Sequence, residues 1–403
     1  MDIFVITMLS LEALFALWLL RRAGVLKGTA NTALCILLLA AAFTLRGLVF
    51  GYETLDYQNF LSPWTEFFRS HGRFAALKYS VGNYNIPYLY FLALFSCLPV
   101  KDLYLIKLLS VFFDVVLAWS SMQLMGKYID SVPRRLGCFF TVMFLPTVFL
   151  NGALWGQCDS IYVAFAVLSI YLALDDRPVL SMVCMAVSFG FKLQAVFVMP
   201  VTAVLYFRGK YKLRHFLVFP AVYVLLVLPA VLIGRPFIDT LTLYFSQTGS
   251  IGSGLNYNSP SIFAFIGNVS NTELASKAAI AGAAVYMFAV LAAAFILRKK
   301  QDNRAVLAAA VLFAIGIPFL LPHMHDRYFF AADVLTVVLA FSAPECFTAA
   351  IMVQFASLLG YHAYLKMRYL LPMNCGSVAL SAAILLTFSY FFGVSSGLSK
   401  EKN

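Results

Sequence analysis

One acidic residue of the sequence lies where it could act as a base. Asp56 follows the apolar run 33–50 and belongs to the stretch LDYQNFLSPW, residues 55–64. A carboxylate just outside the lipid is partly desolvated and can accept a proton from a hydroxyl group. An aspartate at this place can also simply start a helix or a turn, and the residues alone favour that structural alternative.

A second polar stretch, LPHMHDRY at residues 321–328, carries groups that suit an anion. Arg327 presents a planar fork that matches a phosphate, and His323 and His325 can donate hydrogen bonds to phosphate oxygens. Arginine and tyrosine are also common at membrane interfaces for reasons of packing alone. The histidines and Asp326 lack the spacing of a helical metal site, so we expect phosphate binding by Arg327 with one of the histidines, and no metal.

Two further cations lie within or beside apolar runs. Lys192, in the stretch FKLQ, would be costly in lipid without a partner. That partner could be a phosphate or Asp159 of LWGQCDS, and both interpretations remain open. Arg46 is a candidate for the same phosphate, although extension of its side chain to the membrane interface is the favoured alternative.

The composition indicates which elements must position these residues. Of 403 residues, 62% are hydrophobic and 12% are charged, and the mean hydropathy is +0.87. Repeated apolar runs near the ~20 residues needed to cross a bilayer predict an all-α, polytopic membrane protein with about 11–13 transmembrane helices, and they exclude a soluble protein. The net charge of +11 comes from Lys and Arg in short loops, a pattern that needs no nucleic acid.

The basic clusters predict how the helices are oriented. They lie at residues 21–27, 127–135, 208–214, 298–304 and 400–402, and we expect all of them on the cytoplasmic side. The amino terminus is then outside, on a first apolar run that we expect to be retained, and the carboxyl terminus is inside. In run 87–125 we expect one full crossing plus a re-entrant or interfacial helix.

The same rule places most of the polar stretches on the outer side. They are LDYQNFLSPW, NYNIPYLY at 83–90, LWGQCDS at 154–160, FKLQ at 191–194, GLNYNSPS at 254–261 and LPHMHDRY. Polar groups near a bilayer are costly, so their concentration on one side predicts a site there. We expect Asp56, Asp159, Lys192 and Arg327 to converge, with the base and the phosphate-binding groups about 6–10 Å apart.

The chain is expected to form one transmembrane domain, residues 1–403, with two large outer loops. The first loop, residues 51–86, should contain an interfacial helix over 62–72 that begins with Ser-Pro, ends at a glycine and carries Trp64 on its apolar side. The second loop is residues 234–261, whose NYNSP segment favours a turn over a sugar contact.

Taken in order over residues 46–333, these motifs resemble the GT-C superfamily of integral-membrane glycosyltransferases, and within it bacterial relatives of GPI mannosyltransferase II. The resemblance rests on Asp56 and the aromatic segment after it, the Pro-aromatic helix start at 87–90, and the WGQCDS, FKLQ and HMHDRY stretches. Many members carry two adjacent acids in the first loop, whereas Tyr57 follows Asp56 here, which weakens any paired-acid or metal role.

The resemblance implies an inverting transfer of mannose or another hexose from a polyprenyl-phosphate donor. The acceptor would be a lipid-linked or cell-envelope glycan on the extracytoplasmic face of a bacterial plasma membrane, with Asp56 as the base. Candidates for further substrate contacts are Tyr57, Trp64, Gln157, Asp159, Gln194, Asn258 and Tyr328.

No cofactor is expected, and the absence of a nucleotide-binding motif from the sequence disfavours a nucleotide-sugar donor. A transporter or flippase of lipid-linked sugars is the alternative, because it would also need cations for a phosphate. Such a protein should show inverted repeats and binding groups at mid-membrane, and the sequence shows no internal repeat.

Overall fold

The computed structural model describes residues 2–244, 254–266, 272–299 and 302–396. The α-helices of the first half are α1 Ile3–Arg22, α2 Thr29–Leu48, α3 Ser62–Ser70, α4 Ile86–Phe95, α5 Asp102–Met125, α6 Val132–Phe144, α7 Pro146–Phe149, α8 Asp159–Leu174, α9 Pro178–Phe191 and α10 Val201–Phe207. Those of the second half are α11 Val218–Leu232, α12 Phe237–Leu241, α13 Thr272–Leu297, α14 Asn303–Leu320, α15 Phe330–Ser342, α16 Phe347–Lys366 and α17 Met373–Ser396. The strands β1 Asn256–Tyr257 and β2 Met324–His325 pair in parallel.

Many of these helices have the length and composition of membrane spans. Among the described residues, eight helices are long and apolar enough to cross a bilayer, and the count is nine if α6 and the segment that follows it, which are bent by 46°, form one span. Only helices satisfy their own backbone hydrogen bonds within lipid, which explains why the apolar runs fold this way. The predicted all-α, polytopic class is confirmed, and a count of 11–13 crossings requires some of the five shorter apolar helices to cross as well.

The centre of the bundle is formed by helices that are apolar all around. In α14, every residue from Ala305 to Phe319 is buried, and α8 packs between α5 and α9 with most of its residues buried. A helix without a polar face is stable only inside other helices or in lipid. By contrast, α1, α11 and α13 leave large apolar side chains exposed, which indicates a lipid-facing position.

The two ends of the bundle differ in charge. Helix α14 begins beside Arg304 and ends shortly before Arg327, while α8 runs the other way, from Asp159 toward Asp175. At the far end of α8, Asp175 forms an ion pair with Lys127. The described basic residues Lys127, Lys210 and Arg304 therefore lie at one end of the bundle, and the candidate site residues lie at the other, which we call the Asp56 end.

The run at 87–125 divides into a short helix and a long one. Helix α4 has ten residues and α5 has 24. At 1.5 Å per residue, α4 is about 15 Å long, half the thickness of the hydrocarbon core, while α5 is long enough to cross it. Helix α4 begins sharply because the Asn85 side chain accepts a hydrogen bond from the Ile86 amide at 2.9 Å and Pro87 occupies the first turn.

The α-helix α3 begins at Ser62 with Pro63 in its first turn, as predicted, but the predicted capping role of Ser62 is wrong. The chain is already helical from Leu55 and passes through a π-turn at Tyr57–Leu61 into α3, so Ser62 has helical φ and ψ of −67° and −48° and caps nothing. The cause is the extra residue of the π-turn, which continues the helix instead of starting a new one. Gly72 does end the helix region, with a left-handed φ of 89°.

The second large loop, predicted at 234–261, is described only in part, since residues 245–253 lie outside the described residues. In the described part, the Asn256 side chain accepts a hydrogen bond from the Ser259 amide at 2.8 Å and donates one to the Ser259 carbonyl at 2.9 Å. This is the turn that the NYNSP segment favoured. The pairing of β1 with β2 attaches this loop to the stretch that contains Arg327.

Candidate active site

Charged side chains from separate segments meet at the Asp56 end of the bundle. Asp56 precedes α3, Asp159 begins α8, Lys192 follows α9, and Asp326 and Arg327 lie between β2 and α15. Arg327 reaches both Asp56 and Asp159, and Lys192 contacts Asp159. The structure thus brings together four residues that the sequence analysis placed on one side, although they are up to 271 positions apart (327 − 56).

The carboxylate of Asp56 is held by two donors. Its Oδ2 accepts hydrogen bonds from the Trp155 indole Nε1 at 2.9 Å and from the Gln157 amide Nε2 at 2.8 Å. The Asp56 backbone amide donates to the Tyr364 hydroxyl at 3.2 Å. The side chain nevertheless keeps 20% exposure, so the carboxylate has a fixed direction and remains accessible to a ligand.

A sharp turn after α7 brings Trp155 and Gln157 to Asp56. The π-turn Leu150–Trp155 is followed by Gly156 in the left-handed region, with φ 78°, a conformation that costs glycine little. The chain reverses there, so the side chains on both sides of the glycine reach one carboxylate. Trp155 is fully buried and stacks on Tyr364 with ring centroids 4.0 Å apart and planes at 9°.

Arg327 lies among three carboxylates without a close hydrogen bond to any of them. Its Nη1 is 3.9 Å from Asp56 Oδ2 and 3.6 Å from Asp326 Oδ1, and its Nε is 3.6 Å from Asp159 Oδ2. These distances exceed those of a good hydrogen bond, and within the described residues Nε is buried without a hydrogen-bond partner. The guanidinium is attracted to the site but retains donor capacity for an anionic ligand.

The same distances correct an expectation. The predicted gap of about 6–10 Å between the base and the phosphate-binding groups is wrong for Asp56 and Arg327, whose charged atoms are 3.9 Å apart. The physical reason is that two opposite charges in a partly dehydrated site attract each other and close the gap between them. A sugar phosphate could enter between them only if the two side chains move apart.

Lys192 forms the ion pair that was one of its two predicted interpretations. Its Nζ donates to Asp159 Oδ1, while Asp159 Oδ2 accepts from Asn151 Nδ2 at 2.7 Å. Asn151 also donates to the Tyr361 hydroxyl at 2.9 Å. The lysine reaches this position because α9 ends at Phe191 and the Lys192 backbone is extended, with φ −154° and ψ 134°.

Burial changes the protonation of the two residues before Arg327. It lowers the pKa of His325 to about 4, and the charge of Arg327 acts in the same direction. It raises the pKa of the Asp326 carboxyl to about 7, although Arg327 opposes this shift. His325 is therefore neutral at pH 7 and stacks on Tyr257 with centroids 4.8 Å apart, so it can offer a hydrogen bond but no charge.

The structure does not bring two of the predicted phosphate-binding residues into the cluster. His323 Nδ1 contacts the Gly254 carbonyl at 2.7 Å and its Nε2 contacts the Ser276 hydroxyl at 3.2 Å. Arg46 is 1% exposed and pairs with Asp114 at 3.0 Å inside the bundle. Its predicted extension to the membrane interface is wrong, because Asp114 holds it between helices.

The candidate substrate contacts divide between cluster and periphery. Gln157 accepts from the Tyr84 hydroxyl at 2.9 Å and donates to Asp56, and Trp64 packs on Tyr84 with centroids 5.5 Å apart. Two other candidates, Tyr57 and Asn258, bind residues outside the cluster. The Tyr57 hydroxyl donates to Asp102 at 2.8 Å. Asn258 Oδ1 accepts from Tyr369 at 2.6 Å.

The remaining two candidates adjoin the cluster. Tyr328 lies beside His325, with ring centroids 5.2 Å apart, and hydrogen-bonds to Gln194. Sequence reasoning missed Trp155 and Tyr364 as partners of Asp56. Trp155 belongs to the quoted stretch LWGQCDS, so a signal existed. Tyr364 lies in an apolar run, so the sequence gave no signal for it.

The fold and this cluster define a helical integral-membrane protein with an enzyme-like charged site at one end of its bundle. The model of glycosyltransferase family 87 matches residues 83–322, more than half of the chain, and the chain belongs to that family. No curated protein matches the chain. The matched region contains Asp159 and Lys192 but neither Asp56 nor Arg327, so roles for the latter two rest on their geometry.

Proposed function

We propose that this family 87 glycosyltransferase is a GT-C enzyme that transfers a hexose, such as mannose, from a polyprenyl-phosphate donor with inversion. The acceptor is a lipid-linked or cell-envelope glycan, and the site faces the extracytoplasmic side of a bacterial plasma membrane. The observation that carries the proposal is the arrangement of an accessible, oriented carboxylate, Asp56, beside an incompletely paired guanidinium, Arg327.

The chemistry follows from these two groups. Asp56 accepts the proton of the acceptor hydroxyl as its oxygen forms a bond to the anomeric carbon of the sugar. The bond from that carbon to the phosphate oxygen breaks on the opposite face, and the phosphate leaves with the electron pair. Arg327 stabilises the charge that develops on the leaving phosphate. A single displacement of this kind inverts the configuration of the sugar.

A lipid-linked donor fits the surroundings of the cluster. Among the described residues, the carboxylates contact Arg327 at 3.6–3.9 Å, and a phosphodiester could replace these contacts with direct hydrogen bonds. Lys192 is the second cation, and its exchange from Asp159 to the phosphate would add a further charge contact. The site lies at the end of apolar helices, where the headgroup of a membrane lipid is found.

A donor panel tests this function. Purified protein in nanodiscs is given membrane lipid extract as acceptor and either radiolabelled polyprenyl-phosphate hexoses or the corresponding nucleotide sugars. We expect label to move to a new product from the polyprenyl donors alone. Transfer from the nucleotide sugar would overturn the donor assignment, and movement of uncleaved donor across vesicles without transfer would favour a flippase.

We expect chelation to leave the activity unchanged. Arg327 occupies the position among three carboxylates that a divalent cation would need, and a cation there would meet its positive charge. The measurement is the transfer rate with excess EDTA, followed by addition of Mg²⁺ or Mn²⁺. Activity that is lost with EDTA and restored by a divalent ion would contradict the metal-free mechanism.

Asp326 should make donor binding depend on pH. Its pKa of about 7 means that it is neutral below that pH and ionised above it. The ionised carboxylate competes with the donor phosphate for Arg327 and adds to the negative charge of Asp56 and Asp159. We therefore expect the donor KM to rise about threefold to tenfold between about pH 6 and 8.

The variant Asp326→Asn should remove this rise, because its amide does not titrate. His325 titrates near pH 4 and does not contribute in this window. A donor KM of the unmodified protein that stays constant across the window would contradict the assignment to Asp326, and so would a rise that persists in the variant.

A further inference from the structure

One face of α5 carries polar side chains inside the apolar bundle. Lys107, Ser110 and Asp114 follow one another at spacings of three and four residues, which places them on the same side of the helix. All three are buried, with at most 1% exposure. We call them the polar face of α5. None of them belongs to the cluster around Asp56.

Two members of the polar face hold the backbone of segments that carry site residues. Lys107 Nζ donates to the Val49 carbonyl at 3.1 Å and to the Tyr52 carbonyl at 2.7 Å, between the end of α2 and Asp56. The Ser110 hydroxyl donates to the Gln157 carbonyl at 2.7 Å. Helix α5 thus fixes the segment before Asp56 and also Gln157, the residue that orients the Asp56 carboxylate.

The third member reaches the segment that carries Asp159. Asp114 Oδ1 accepts from the Ser160 hydroxyl at 2.5 Å, and Ser160 directly follows Asp159. The other carboxylate oxygen, Oδ2, accepts from Arg46 Nη2 at 3.0 Å and Nε at 3.2 Å. The ion pair with Arg46 fixes the direction of the Asp114 carboxyl group inside the bundle.

Gly152 allows the polar face to approach the site segment closely. A Cβ atom at Gly152 would lie 3.0 Å and 3.1 Å from the two Asp114 oxygens, closer than carbon and oxygen normally pack. At Gly156, whose positive φ favours glycine, a Cβ atom would lie at the ordinary contact distance of 3.7 Å from the Lys107 side chain. Helix α5 therefore packs directly on the backbone that turns Trp155 and Gln157 toward Asp56.

Stability alone does not account for this arrangement. Buried charges contribute little net stability, since their dehydration offsets their attraction, and apolar residues of similar size often do as well. Each of the three side chains of the polar face is directed at a segment with a site residue. This pattern is consistent with a role of these side chains in positioning the segments that carry the site residues.

We propose that the polar face of α5 is a positioning element of the active site. It sets the relative positions of Asp56, Gln157 and Asp159 without touching the substrate. The proposal rests on the proposed glycosyl transfer, in which a small displacement of the base lowers the rate of the chemical step more than it changes substrate binding.

Serine variants test the positioning role of α5 with little risk to folding. Ser110→Ala and Ser160→Ala each remove one hydroxyl that links α5 to the site segment. Ser120→Ala is the matched control, because Ser120 is equally buried on the same helix and, in the described part of the chain, its hydroxyl hydrogen-bonds only to the Leu117 carbonyl within that helix. We expect kcat to fall about tenfold or more in the first two, with the donor KM changed less than about twofold, and no change in the control.

A conservative replacement and a spectroscopic signal complete the test. Ser110→Thr keeps the hydroxyl and should recover most of the rate. Independently of activity, in a background where Trp18, Trp64 and Trp119 are phenylalanine, the fluorescence of Trp155 should shift in Ser110→Ala and Ser160→Ala but not in Ser120→Ala.

The outcomes separate the two proposals. Rates and emission in Ser110→Ala and Ser160→Ala equal to those of Ser120→Ala would overturn the positioning role. If the unmodified protein transfers no sugar from any polyprenyl donor, the proposed function fails, and the emission shift alone decides whether α5 positions the segment at Trp155.

Discussion

Replacing Asp56 with asparagine is expected to lower kcat by about 10²–10⁴-fold, the contribution of a general base to such a reaction. Asparagine has the same shape, and its oxygen can still accept the hydrogen bonds from Trp155 and Gln157. It cannot take a proton from the acceptor. The protein should therefore fold, insert and bind donor as before while turnover is lost, which initial rates at saturating donor will measure.

The matched control is Glu53→Gln, which neutralises an acid three residues upstream. Glu53 forms an exposed ion pair with Lys101 at 2.5 Å and does not contact the cluster. We expect this variant to keep the activity of the unmodified protein. Near-normal turnover in Asp56→Asn would rule out Asp56 as the base, and an equal loss in both variants would assign the effect to the local charge of the loop.

Replacing Arg327 with lysine should raise the donor KM by about 10–100-fold, the range expected when charge-assisted hydrogen bonds are lost. Lysine keeps the positive charge but loses the planar fork that can bind two phosphate oxygens together. Its ammonium also cannot reach Asp56, Asp159 and Asp326 at the same time, as the guanidinium does. The acceptor KM should change much less.

Arg69→Lys serves as the control for this substitution. Arg69 lies on α3 at the same end of the bundle, and its one ion pair among the described residues is with the exposed Glu66 of its own helix. Both kinetic constants should be unchanged in that variant. If Arg327→Lys affects the acceptor KM alone, Arg327 binds the acceptor and the leaving phosphate must be held elsewhere.

The fold class could be predicted because a bilayer leaves few alternatives. Apolar runs of sufficient length must be helices there, and the positions of Lys and Arg indicate which ends lie together. Local breaks were harder to predict. The Ser-Pro pair at 62 and 63 is typical of a helix start, yet the helix was already under way from Leu55 through a π-turn, a feature with no simple sequence pattern.

The cluster could be predicted in part for the same reason. Asp56, Asp159, Lys192 and Arg327 stood out because charged residues beside apolar runs are costly and rare. Arg46 stood out too but was misplaced, since its partner Asp114 is 68 positions away on another helix. Periodicity shows which side of a helix is polar, and it does not show which two helices pack together.

A structure with a bound, non-transferable polyprenyl-phosphate sugar analogue tests the proposed roles of Asp56 and Arg327 most directly. The structure should place the phosphate within hydrogen-bond distance of Arg327, with Asp56 on the opposite side of the anomeric carbon and the polyprenyl chain against the apolar surface of the bundle. Asp56 and Arg327, now 3.9 Å apart, should be separated by the sugar. A phosphate bound at the basic end of the bundle, or an anomeric carbon on the far side of Arg327 from Asp56, would contradict the mechanism.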